Sequence, residues 1–207
     1  MRSRTWRSAG LMAFLGLFSI SSSLRGDAPL LPPRLVEVCS VNDDKVCARS
    51  DPAKKLTTVF RRTKTGQLKL WTYPGWHRSF FVSEDGESIV IGDDGLGLLP
   101  LDHAKNPPLF RFVTHGRLVH VVTLNDLLPD PAKLKRTVSH VSWGHCIGII
   151  QNGQFLVETA DNELHAFNVK TGAREEANVR HVELGPGGPW NRALDQKAFQ
   201  DSRVASR

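Results

Sequence analysis

Only one long apolar run occurs in this 207-residue sequence, Leu11–Ile20, and the lack of any other excludes a multi-span membrane protein. No Gly-x-Ser-x-Gly elbow, His-Glu-x-x-His helix, Walker loop or EF-hand loop is present, so the high-specificity catalytic and cofactor signatures are missing. Charge of one sign is not in great excess either, with 27 Lys+Arg against 21 Asp+Glu. No Lys/Arg stripe with interleaved aromatics stands out, which sets nucleic-acid binding aside. At 23% charged and 40% hydrophobic, the chain is neither disordered by composition nor too poor in apolar residues for one ordinary core.

What is present first concerns the compartment. Arg2, Arg4 and Arg7 form a positive leader, Leu11–Ile20 an apolar segment, and Ser21-Ser22-Ser23 a small-residue exit. This is the pattern of a secretory signal over residues 1–23, with cleavage expected after Ser23. A cut after Ala28 is disfavoured because Pro29 would follow it. Ten residues fall short of the about 20 needed to cross a bilayer, and the alternative is an uncleaved amphipathic anchor. Removing residues 1–23 takes three Arg and no acid, leaving 24 against 21, so the net charge drops from +6 to +3. The mature chain is expected to be secreted or periplasmic, without a transmembrane segment.

Three cysteines fit an oxidising compartment if two of them pair. With Asn42-Asp43-Asp44 as a three-residue hairpin loop, Val41 faces Lys45 and Cys39 faces Cys47, within disulfide reach. Cys146 is left over and is expected to be buried beside Trp143 and Ile147–Ile150.

From Val36 onward, short β-branched and apolar runs alternate with polar turns. Asp85-Gly86 and Asn152-Gly153 are the strongest hairpin signals, because both central residues must accept positive φ. The turns come in a repeated pair. Ser40–Asp43, Ser83–Gly86 and Ile150–Gly153 each open a unit; Thr63–Gly66, Val113–Gly116 and Val169–Gly172 each follow in it. The first turns lie 43 and 67 residues apart, the second 50 and 56. Two hairpins make four antiparallel strands, so three four-stranded meanders are expected.

Such units have the size of a β-propeller blade. Ser83-Glu84-Asp85-Gly86-Glu87-Ser88-Ile89-Val90 resembles the first hairpin of WD40-type and related propeller repeats, and Asn168-Val169-Lys170-Thr171-Gly172 resembles their outer hairpin. The resemblance implies a mainly-β fold over residues 36–184. Three units are fewer than the four to eight of a closed ring. The expectation is therefore an open arc, a ring completed by oligomerisation, or a β-sandwich or barrel of the same strands.

Leu124–Thr137 is the interruption that accounts for the long second interval. Asn125 is placed to cap one short helical turn, and Asp130 with Pro131 to start another, packed through Leu127, Leu128 and Leu134. Residues 24–35 read as a proline-containing lead-in and residues 185–207, after Gly185–Pro189, as a flexible tail; both ends are expected to pack poorly.

Candidate chemistry is thin. Lys64-Thr65-Gly66 and Lys170-Thr171-Gly172 match one element of serine β-lactamases, but no Ser-x-x-Lys or Ser-Asp-Asn completes it, and hairpin turns account for both. His140, His145 and Cys146 are the metal or nucleophile candidates. On one strand His140 and Cys146 share a face and His145 takes the other, so a third zinc ligand would have to come from His77, His103 or His120. Asp93 and Asp94, in Ile91–Gly97, offer part of a Ca²⁺ site or a plain glycine-rich turn. Trp71, Tyr73 and Trp76, around a Pro74-Gly75 turn with Arg78 nearby, form the most suggestive binding feature.

The sequence therefore points to an exported β-repeat binding domain, with Trp71, Tyr73, Trp76, Arg78, Asp93 and Asp94 as contact residues. Its partner is expected to be a protein, a cell-envelope component or a second copy. No cofactor or catalysis is expected; the alternative is a metal-dependent or Cys/His hydrolase centred on His140, His145 and Cys146.

Overall fold

Alternating strands and turns place most apolar residues of the described part of 36–177 in β-structure. A computed structural model of the chain describes residues 31–92 and 97–177. The signal segment, the Asp93–Asp94 pair and the tail after Ala177 lie outside these described residues.

Strands β1 (Val36–Cys39), β2 (Val46–Asp51), β3 (Leu56–Thr63) and β4 (Gly66–Pro74) form an antiparallel meander, the first sheet. In the next meander β5 (Phe80–Val82) pairs with β6 (Ser88–Ile91). A short β7 (Leu98–Pro100) then leaves the sheet before β8 (Pro108–Thr114) and β9 (Arg117–Thr123) complete it in the order β5-β6-β8-β9.

The insertion follows: α1 (Leu124–Leu127), a 3₁₀ turn (Pro131–Lys133), β10 (Lys135–Arg136) and β11 (His140–Ser142). The third meander is β12 (Gly144–Ile149), β13 (Gln154–Thr159), β14 (Leu164–Asn168) and β15 (Arg174–Glu175). All six expected hairpins fall between consecutive strands of these three sheets.

The fold is thus mainly β, but it has four antiparallel sheets rather than three. The run Val141–Ile150 does not stay in one strand. Trp143 donates its N–H to Gly97 (3.1 Å) and accepts from Ala160 (2.9 Å), which divides β11 from β12. β11 then pairs with β7 and β10 as a small sheet of its own.

Two further local expectations need correction. Asp126, not Asn125, organises the start of α1, accepting from the Thr123 N–H (2.7 Å) and hydroxyl (2.6 Å). The first hairpin turns through five residues, Val41–Lys45, with Ser40 N–H on the Val46 carbonyl at 2.8 Å. The Cys39–Cys47 register survives because this loop adds one residue on each side of the expected three. The disulfide is formed. Asp130 starts the 3₁₀ turn as expected, accepting from Ala132 N–H.

The second sheet lies between the other two. Ile89, Ile91 and Val113 join Val46, Ala48 and Val59 of the first sheet in one buried cluster. Val90, Phe110 and Phe112 join Trp143, Phe155, Val157 and Phe167 in the other, with Leu127 and Leu128 from the insertion. Alternation explains it: on β6, odd and even positions project to opposite faces, and both faces are covered, so all four residues are buried. Edge-to-face contacts of Phe110 with Trp143 (5.3 Å) and with Phe155 (5.4 Å) set the packing of the larger cluster. Burying each such side chain contributes about 1.5–3 kcal/mol.

Candidate functional site

The four contact residues expected around Pro74-Gly75 divide into two pairs with different tasks. Gly75 has φ 99, as the turn requires, and its N–H bonds the Lys55 carbonyl at 2.8 Å. Trp71 and Tyr73 pack on the cluster between the first and second sheets. The Trp71 indole N–H donates to the Gly86 carbonyl at 2.7 Å, tying β4 to the next sheet's first hairpin. Trp76 and Arg78 instead hold the lead-in: the indole donates to Arg34 (2.7 Å) and the guanidinium to Leu31 (2.5 Å). Arg78 also lies 5.2 Å over the Trp76 ring. Residues 31–35 are exposed, and these two hydrogen bonds tie them to the turn after β4. Asp93 and Asp94 lie outside the described residues.

The structure separates the residues of the alternative, hydrolytic site. His140 stands on β11 beside the Ser139 hydroxyl (2.8 Å), whereas His145 and Cys146 stand on β12. Cys146 is buried in the larger apolar cluster. His145 lies 3.6 Å from Glu158, its cross-strand neighbour. His77 turns to the Pro74 carbonyl (3.2 Å), and burial, opposed by that carbonyl and aided by Arg111, holds its pKa below the usual range. His103 turns to the Ala104 carbonyl, and His120 packs under Gly172. Among the described residues, the one cluster of three potential ligand atoms is Glu37, Cys39 and Cys47, and both of its sulfurs belong to the disulfide.

A polar junction, unmarked in the sequence, joins the second and third sheets. Lys170 reaches Glu87 (2.6 Å) and Asp85 (2.9 Å), while the Thr114 hydroxyl donates to the Lys170 carbonyl (2.8 Å). Burial alone would raise Asp85, but the Ser83 hydroxyl, Lys170 and the Glu87 N–H together hold its carboxyl below the ordinary range. Lys170 is correspondingly raised, chiefly by its bonds to Glu87 and Asp85. A groove of about 270 Å³ opens beside it, between the first hairpins of the second and third sheets.

The face of the first sheet directed away from the second is polar and grooved. Half-buried Leu56 and Thr58 and, past a bulge, the buried Phe60 lie on it from β3, opposite the buried Thr57 and Val59. With Arg49, Gln67 and Lys69 they line a hollow of about 230 Å³. Arg49 lies 5.1 Å over the Phe60 ring and bonds Glu37 at 2.7 Å; Arg62 bonds the same carboxylate at 2.7 Å. Burial would raise Glu37, yet the two arginines hold it below the usual carboxylate range. Such a face can take a polar, partly aromatic or anionic surface. The mixed alternation of Leu56–Arg62 was its signal in the sequence.

No protein-family model matches the chain, and no curated protein matches it. Among the described residues no helix is long and apolar enough to cross a membrane.

Proposed function

We propose that the chain is an exported, propeller-like β-repeat protein that binds a protein or cell-envelope partner and does no chemistry on it. One observation carries this reading: apolar clusters pack on both faces of the second sheet at β6 and β8, whereas the first sheet keeps a grooved, charge-lined face among the described residues. Repeat stacks carry such polar faces on their terminal units. The three two-hairpin meanders support the likeness to propeller blades, and the disulfide supports an oxidising compartment. Trp71 and Tyr73 then serve to build the sheet stack, and Trp76 and Arg78 to position the lead-in beside it.

Affinity capture from the exported fraction tests this. The wild-type chain and a His140→Ala variant are expected to retain the same stoichiometric partner, and Lys69→Glu or Trp76→Ala to lose it. A hydrolytic activity that disappears with His140→Ala or Cys146→Ala would overturn the reading.

A further inference from the structure

Each later hairpin tip leans on the sheet before it. At the second sheet's outer tip, a Cβ on Gly116 would lie 2.6 Å from the Thr72 carbonyl of β4. At the third sheet's outer tip, a Cβ on Gly172 would lie 2.8 Å from His120 Cγ of β9, and Lys170 meets Asp85 and Glu87. The first sheet's tip has the same Lys-Thr-Gly sequence as the third, yet a Cβ on Gly66 would meet nothing within 4 Å among the described residues. The loops differ in length, so the correspondence is between tips as wholes rather than atom by atom.

We propose that this tip and the face beside it, uncovered among the described residues, are a stacking position that docks an acidic β-hairpin of another polypeptide; the proposal rests on the binding reading above. Charge complementarity selects the occupant. On the face, the acids Glu37 and Asp51 are already paired, with Arg49 and Arg62 and with Lys54. Lys64 and Lys69 make no ion pair among the described residues and are exposed. The tip lysine that does have a preceding sheet, Lys170, is met there by two carboxylates. The matching hairpin of a second copy carries no acid: the third sheet has Asn152 and Gln154 where the second has Asp85 and Glu87. The Gln154 amide, moreover, is bonded to Glu175 and to the Glu176 carbonyl, both at 3.0 Å.

The test uses the isotope-labelled mature chain and two disulfide-cyclised hairpin peptides. One carries Ser-Glu-Asp-Gly-Glu-Ser, the sequence of residues 83–88, and the other Ser-Gln-Asn-Gly-Gln-Ser. The acidic peptide is expected to shift the amide signals of Lys64, Gly66 and Lys69. The amide peptide, and the Lys64→Glu, Lys69→Glu double variant, are expected to bind at least tenfold more weakly; both lysines are exposed, so the variant keeps its fold, checked by circular dichroism. Unmoved signals over residues 64–69, or equal affinity for the two peptides, would overturn the proposal. So would a wild-type dimer in light scattering that the double variant loses, since it names a second copy as the occupant. If partner capture survives while the peptide effect fails, only this inference falls; if capture fails as well, the binding reading falls with it.

Discussion

Lys170, on the last hairpin of the third sheet, sets its ammonium 2.9 Å from Asp85 on the first hairpin of the second. Glu87 stands 2.6 Å from the same nitrogen. Lys170 stands 85 and 83 positions from these two acids in the chain, and the contact pins one sheet's tip to its neighbour.

Replacing Lys170 by Met should therefore lower stability slightly. Its side chain is 51% exposed, and solvent screening reduces the pair to about 0.5 kcal/mol. Thermal melts at low ionic strength should show a loss of about 1–2 °C. In 1 M salt, where the screening length is about 3 Å, the difference should vanish. A loss that persists there would assign the effect to packing of the lysine stem.

Gly172→Ala should be far more damaging than Gly66→Ala. Both glycines have positive φ, 71 and 146, so each substitution carries a backbone cost of about 1 kcal/mol. Only at Gly172 does the new methyl also strike His120, which should bring the total to about 3 kcal/mol. Urea midpoints of the two variants check the ranking. Adding His120→Gly should recover part of the loss in Gly172→Ala and none in Gly66→Ala.

Removing the disulfide with Cys39→Ala and Cys47→Ala should destabilise the chain by about 2.5 kcal/mol, the entropy of closing a loop this short. The two residues are eight apart. Reductant should bring the oxidised wild type down to the variant's urea midpoint and leave the variant where it is.

Stability should fall as pH drops from 7 to 5. His165 is buried, with Arg174 2.6 Å from Nδ1 and the Thr159 hydroxyl 3.4 Å from Nε2. Burial first, then Arg174, hold its pKa below 6.5, against the acids Glu163 and Asp161. The folded ring is therefore neutral, while the unfolded ring takes a proton near pH 6.5. Its contribution is whole above that pH and is lost as pH falls through the lower folded value. Urea midpoints across this window should show the slope. His165→Asn should flatten part of it; His77, which is shifted the same way, adds to the slope.

The turns were legible because their chemistry is local. Asp85-Gly86, Asn152-Gly153 and Thr171-Gly172 all mark turns whose glycines have positive φ, at 75, 77 and 71. Cys39 and Cys47 were legible for a related reason, since a short hairpin leaves few registers. The small fourth sheet was hidden: β7 and β10 have three and two residues, and β7 pairs with β11 some 40 positions away. Trp143 looked like the middle of a strand because a backbone bond to Gly97 leaves no trace in periodicity. The fate of Trp71 was equally hidden, as an aromatic on a strand suits an exposed platform or a core, and only the neighbouring sheet decides. Lys170 read as a turn residue. Its carboxylate partners come from a hairpin whose proximity depends on how whole sheets stack.

Strand β6 of the second sheet is covered on both faces and β8 nearly so, and this ties the first and third sheets to it. A fragment stopping short of Trp143 would bare Val90, Phe110 and Phe112; one beginning after Tyr73 would bare Ile89, Ile91 and Val113. Either cut trades a dry seam for an aggregation-prone slab. Neither outer sheet can therefore be removed without opening one of the two seams.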